Sequence, residues 1–207
     1  VAIRQCRTRD KMCVITHCPA DLTDVIHLYP FSMSVPDAPG ASTFWDGLRR
    51  FWKKERVDAW HQAIFGDLSG TEKTENLICL DPWAHRLHAK GYFALEPVRT
   101  DPEGKWMVLR IWWLKVNASG GAVRLSNIPD LPGDVEPADY GIGMMNFRTQ
   151  KPIRSGDEIT LQTPDPVNLP LPDIRILELQ WMMNRVAAMR GGAEPDDLEE
   201  DSHSSEG

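Results

Sequence analysis

The chain has 207 residues, 42% hydrophobic and 26% charged, enough for one large domain or two small ones, and it lacks the run of about 18 apolar residues that spans a bilayer. Its formal charge of −7 resides wholly in residues 193–207, where Glu194, Asp196, Asp197, Glu199, Glu200, Asp201 and Glu206 stand without a Lys or Arg; the neutral body excludes a strongly basic nucleic-acid binder and an acid-coated surface alike. Four cysteines without a Cys-x-x-Cys pair exclude a disulfide-stapled scaffold and read as thiols in a reducing compartment.

Val1-Ala2-Ile3-Arg4-Gln5-Cys6 opens the chain with neither an initiator Met nor an apolar leader, as in a fragment or a trimmed protein. Met12–Thr16 reads as a strand, His17–Asp21 as a turn, and Leu22–Tyr29 as a second strand stopped by Pro30. Residues 31–43, with Pro36, Pro39 and Gly40, read as loop. From Phe44 to Phe65 apolar side chains recur at helical spacing through Phe44, Leu48, Phe51, Trp52, Ala59, Trp60, Ala63 and Ile64. Ser42 or Thr43 is the expected cap, and the pattern fits one bent helix or two. Thr74–Asp81 is the next expected strand, followed by a short helix over Pro82–Lys90, with Pro82 in its first turn and Gly91 past its end. Tyr92–Pro97 is a short apolar run, and Asp101-Pro102-Glu103-Gly104 turns into a strand over Lys105–Val116, which favours a hairpin. Residues 117–143 have little periodicity. Glu158–Gln162 reads as a last strand, and Ile174–Met189 as an amphipathic helix. Residues 193–207 hold too little apolar surface to order themselves and read as a disordered acidic tail, which leaves 1–192 as a single domain.

Three residues stand in an order that carries chemistry. His27 lies near the end of one apolar run, in Val25-Ile26-His27-Leu28-Tyr29-Pro30; Asn76 precedes a second, Leu77-Ile78-Cys79-Leu80; and His85 opens a polar helix. The spacing Asn76-x8-His85 covers one strand and the first turn of a helix. This order and spacing resemble the HNH nuclease family, most closely the group found in many fungal proteins of otherwise unknown role. The resemblance covers nearly the whole ordered chain, with motif-level specificity in residues 13–30 and 74–97.

What the resemblance implies is an α+β fold: a ββα-metal finger over about residues 6–97, a helix-bearing insertion between His27 and Asn76, and a C-terminal strand and helix extension over about 98–192. It further implies a metal-dependent endonuclease that hydrolyses phosphodiester bonds in DNA. In that chemistry His27 is the general base that takes a proton from water, Asn76 steadies the site, and His85 holds a divalent ion: Mg²⁺, Mn²⁺ or Zn²⁺. A cation is needed because negative charge builds on the phosphate oxygens, and imidazole suits the base because its ordinary pKa of about 6.5 lies near working pH.

Further metal ligands often stand in the family just before the base and one turn after the helix histidine; here those positions are Ile26 and Ala89. His88, at i+3 from His85, is the substitute ligand, and Asp24 shares the strand face of Ile26. Arg86 and Lys90 beside His85, with Arg49, Arg50 and Lys53 on the aromatic helix, are candidate contacts to a nucleic-acid backbone, although Asp46, Glu55 and Asp58 dilute the second group. Trp106, Trp112 and Trp113 read as core, and His17 and His61 carry no motif. Ile26 and Ala89 motivate an alternative, a degenerate finger serving as a DNA- or protein-binding module without hydrolysis; a third reading has Cys13 and Cys18 hold structural zinc. No membrane partner is expected, and reduced thiols with a DNA substrate point to the nucleus or cytoplasm.

Overall fold

The computed structural model describes residues 1–114 and 141–190, the last two of these by backbone alone. In chain order the elements are α1 (Ala2–Asp10), β1 (Asp24–His27), α2 (Pro39–Phe51), α3 (Lys54–Phe65), β2 (Leu77–Leu80), α4 (Pro82–Ala89), β3 (Phe93–Thr100), β4 (Trp106–Trp113), β5 (Met145–Asn146), β6 (Lys151–Pro152), β7 (Glu158–Gln162) and α5 (Ile174–Arg190). The described residues form an α+β fold with three small antiparallel sheets: β1-β2, β3-β4-β7 and β5-β6.

The β1-β2 ribbon organises the N-terminal half. Its register sets Asp24 against Leu80 and His27 against Leu77. Side chains alternate across a strand, so the ribbon has two different faces. Ile26, Ile78 and Leu80 join the main core with Ala84 and Leu87 of α4. Val25, Leu77 and Cys79 face Cys6 and Ala2 of α1. The ribbon is thus sandwiched between two helices, which is why all four residues of β2 are buried. Each aliphatic side chain buried there contributes about 1.5–3 kcal/mol.

The main core continues through Trp45, Trp60, Phe93, Trp113 and Ile159 to Ile176, Leu177 and Leu179, and α5 packs on β3 and α3. The expected hairpin is present: β3 and β4 pair around Asp101, whose carbonyl accepts the N–H of Gly104 at 3.0 Å, with Gly104 at φ 73°. Among the described residues no helix is long and apolar enough to cross a membrane.

Several local expectations are corrected. Residues 12–16 are not a strand. The chain curls there, with Cys13 N–H on the Cys18 carbonyl, His17 N–H on the Cys13 carbonyl and His17 itself left-handed at φ 60°. Ala2–Asp10 forms a helix for which no expectation was drawn, because its apolar positions are few and face the ribbon only in the folded chain. The aromatic stripe resolves into two helices, broken at the extended Trp52, which lets Trp52 pack edge-on to Trp60 at 6.3 Å. Its start is earlier than expected: Pro39 presets the first turn, and neither Ser42 nor Thr43 caps it. Thr43 instead bonds back to the Pro39 carbonyl at 2.8 Å. Thr74–Asn76 is a 3-10 turn rather than strand. Most of 117–143 and the acidic tail 193–207 lie outside the described residues.

Candidate active site

The start of α4 is fixed by one carboxylate. Asp81 Oδ1 accepts the backbone N–H groups of Trp83 at 3.0 Å and Ala84 at 3.1 Å, and Pro82 takes the first helical position. A cap of this kind contributes about 1 kcal/mol. Asp81 Oδ2 accepts Thr16 Oγ1–H at 2.6 Å and the Cys13 thiol at 3.3 Å. The curl that replaces the expected strand therefore clamps the helix start, one turn from His85.

His85 is half-exposed, and its Nδ1 lies 3.0 Å from Oδ2 of Asp24 on β1. Because Asp24 accepts Nδ1–H, the tautomer leaves Nε2 as the imidazole's lone-pair donor. His27 makes a matching pair: its Nε2 lies 2.6 Å from Oε1 of Glu72, which leaves Nδ1 as the lone-pair nitrogen. Glu72 comes from the insertion, 45 positions along the chain. Strand alternation sets Asp24 on the α4 face and His27 on the other, so the two imidazoles flank β1 and are not in mutual contact.

Asn76 is fully buried and its amide is spent on backbone. Its Oδ1 accepts Tyr29 N–H at 2.8 Å, and its Nδ2 donates to the Tyr29 and Thr71 carbonyls, both at 3.0 Å. Tyr29 lies two residues past His27, and Thr71 immediately precedes Glu72. The Asn76 side chain thus ties together the two segments that carry the His27–Glu72 pair, and its position in the site is that of a positioning residue rather than one that faces the reacting groups.

His88 is turned into the core, 9% exposed, with Nε2 against the Gln180 amide and its ring 5.5 Å from Phe93. Burial, reinforced by the charge of His85, pushes its pKa down to about 4, so it is neutral in the folded protein. This removes it from the surface that Asp24 and His85 share. Ile26 is 4% exposed and packed in the core, and Ala89 is exposed. Arg86 on α4 and Lys90, just past its end, are exposed. On the aromatic helices Arg49 pairs with Asp46 and Asp58, while Arg50 and Lys53 are exposed.

Cys13 and Cys18 do not make a ligand pair: the Cys13 thiol is committed to Asp81, and burial pushes both thiols up. All four cysteines are buried and free of disulfides. Among the described residues, the one group of three metal-ligand side chains gathered within 4.8 Å is Cys6, Asp10 and Cys79, apart from all three candidate histidines.

Two features escaped sequence reading. Glu72 had no signal, since nothing in a linear pattern links it to His27. The β5-β6 hairpin did have one: residues 144–156 hold Arg148, Lys151 and Arg154 without an acid. All three cations are exposed, as is Phe147, and the hairpin docks beside α4 through Trp83 Nε1–H on the Gly143 carbonyl at 2.9 Å and Phe147 N–H on the Thr16 carbonyl at 2.8 Å. Trp83 and Arg86, one turn apart, carry that surface round α4 toward His85.

No curated protein and no solved structure matches the chain. Residues 13–96, which hold His27, Asn76, His85 and both carboxylate partners, match the family described as HNH endonuclease, a match that supports the HNH nuclease family for this part of the chain.

Proposed function

We propose that the protein is a metal-dependent endonuclease that hydrolyses phosphodiester bonds in DNA, with β1, β2 and α4 serving as its ββα-metal finger. The observation that carries this reading is the pair of histidine–carboxylate contacts inside the family segment, Asp24–His85 at 3.0 Å and Glu72–His27 at 2.6 Å. His85 Nε2 is the imidazole donor that would hold the metal, Mg²⁺, Mn²⁺ or Zn²⁺, and Asp24, accepting Nδ1–H at 3.0 Å, orients the ring from behind. When bound, the ion supplies charge neutralisation at the scissile phosphate. His27 Nδ1 accepts the proton of the attacking water, and Glu72 steadies the imidazolium that results. Asn76 holds this pair in place. Arg86, Lys90 and the β5-β6 hairpin meet the backbone of the duplex. The free thiols fit an intracellular setting, nuclear or cytoplasmic.

One observation favours the alternative of a non-catalytic binding module: Ile26 is buried, and among the described residues no group of three His, Cys, Asp or Glu donors gathers at His85. Cleavage of supercoiled plasmid with each of the three ions, by wild type, His27→Ala, His85→Ala and Asp24→Asn, separates the two. Metal-dependent nicking by wild type, absent in His27→Ala and weakened in the other two, supports the nuclease. Nicking retained in His27→Ala refutes the assigned base, and duplex binding without nicking by any form favours the binding module.

A further inference from the structure

The face of the ribbon opposite α4 carries a second constellation. Cys6 and Asp10 stand one turn apart on α1, and Cys79 lies in β2 beneath them. Cys6 and Cys79 are 0% and 1% exposed, and the Asp10 side chain 2%. Cys6 Sγ lies 3.8 Å from Cys79 Sγ and 3.5 Å from Asp10 Oδ2, and the three ligand atoms sit within 4.8 Å of one another. A tetrahedral zinc ion with Zn–S of about 2.3 Å and Zn–O of about 2.0 Å has an S–S edge of about 3.8 Å and an S–O edge of about 3.5 Å. The two donor spacings from Cys6 match those edges, and the third lies within 4.8 Å.

The outer shell is already built. Arg9, 3% exposed, donates from Nη2 to Cys6 Sγ at 3.5 Å and to Asp10 Oδ2 at 3.1 Å, and from Nε to Asp10 Oδ1 at 2.6 Å. Nη1 donates to the carbonyls of Thr74 and Pro170, and Nη2, shared among three acceptors, also reaches the Leu77 carbonyl at 2.6 Å. Cys79 N–H donates to Asp10 Oδ2 at 2.9 Å. Two thiolates, one carboxylate, Arg9 and a divalent ion sum to neutral, as a buried site requires. In the metal-free chain the two sulfurs share a hydrogen bond that makes Cys6 the weaker acid and Cys79 the stronger.

We propose that Cys6, Asp10 and Cys79 bind a structural zinc ion, with a water at the fourth corner, that pins α1 to the β1-β2 ribbon. Binding releases the two thiol protons to solvent, so affinity rises with pH. Cys6, Cys79 and the Asp10 side chain are closed to solvent, so no substrate reaches the ion and its role is to hold the fold. The ion also fixes Arg9, whose bonds to Thr74 and Leu77 bracket Asn76. The proposal does not rest on the nuclease reading: it uses none of that site's residues and lies on the other side of the ribbon from Asp24 and His85.

The test is metal analysis of the full chain purified under reduction, followed by Co²⁺ titration read by the thiolate-to-cobalt charge-transfer band. One equivalent of zinc, and a charge-transfer band lost in Cys6→Ser and Cys79→Ser but kept in Cys13→Ser and His85→Ala, is the expected result. If the two serine variants fail to fold, wild type decides: chelation lowers its Tm and zinc restores it. A wild type that gives no band and no chelator-dependent Tm overturns the proposal. So does a band that survives in folded Cys6→Ser, or a Cys6–Cys79 disulfide in a chain that binds no zinc after reduction.

Discussion

Replacing Asn76 with alanine tests the link between the buried amide and the His27–Glu72 pair. The substitution strands three buried backbone groups at once: Tyr29 N–H, the Tyr29 carbonyl and the Thr71 carbonyl. An unsatisfied buried polar group costs about 1–3 kcal/mol, and partial relaxation of the two carbonyls brings the sum to about 3–6 kcal/mol. Against a typical total of about 5–15 kcal/mol, the variant folds with a much reduced margin. Urea unfolding followed by tryptophan fluorescence measures this, with Trp45 as a local reporter stacked on Tyr29 at 5.9 Å. Below the transition, plasmid nicking by Asn76→Ala falls at least tenfold while metal affinity stays within about twofold, because the amide orients the base and touches no ion. A loss of less than about 1 kcal/mol refutes the structural argument. A drop in metal affinity to match the drop in rate refutes the positioning argument and makes Asn76 a ligand.

Glu72→Gln keeps the shape of its partnership with His27 but removes the charge that stabilises the imidazolium, so the nicking rate falls about tenfold with duplex affinity unchanged; an unaltered rate discards Glu72 as a partner in catalysis. His88 links stability to pH: with a folded pKa of about 4 and an unfolded value of about 6.5, the unfolded chain binds its proton first, so stability is full above about pH 6.5 and declines as pH falls toward 4. At pH 5 that loss is about 2 kcal/mol, read as a shift in urea midpoint that His88→Asn no longer shows; an identical pH slope in the variant assigns the effect elsewhere. Removing the three hairpin cations in Arg148→Ala/Lys151→Ala/Arg154→Ala makes the salt dependence of duplex binding shallower by about 2–3 in log–log slope, and an unchanged slope shows that the hairpin does not meet phosphate.

The parts of the fold legible in the sequence were those dictated by local chemistry. Pro82 opens α4 and Gly91, at φ 70°, closes it, so the helix that presents His85 follows from a proline and a glycine, while the Asp81 cap reads in sequence as the end of a strand. The β3-β4 hairpin follows from Asp101–Gly104, and β7 from strict alternation over Glu158–Gln162. What failed was governed by contacts between distant segments. Cys13-Val14-Ile15-Thr16 has strand composition, yet Thr16 and Cys13 are drawn to the Asp81 carboxylate, and the segment curls to reach it. His88 sits at a promising spacing from His85, but helical rotation carries it inward to Gln180, 92 positions away. Asp24 was visible as a face-mate of Ile26, whereas Glu72 and the Cys6–Cys79 meeting were invisible until β1 and β2 paired.

The long insertion between His27 and Asn76 gains a purpose from this arrangement. Closing a loop of 48 residues costs little more than closing one half as long, since the entropic cost grows with the logarithm of length. The loop's course is set by packing: Tyr29 at its start meets Trp45 of α2 and Phe65 at the end of α3, with ring centroids at 5.9 and 5.8 Å. Phe65 leads directly into the turn that contains Asp67, Lys73 and Glu72, and the Asp67–Lys73 ion pair at 3.0 Å holds that turn. The aromatic helices therefore aim Glu72 back at the strand from which the insertion departs. A side chain in the insertion and a side chain before it form one unit, and the stripe that reads in sequence as inert core determines where the partner of His27 stands.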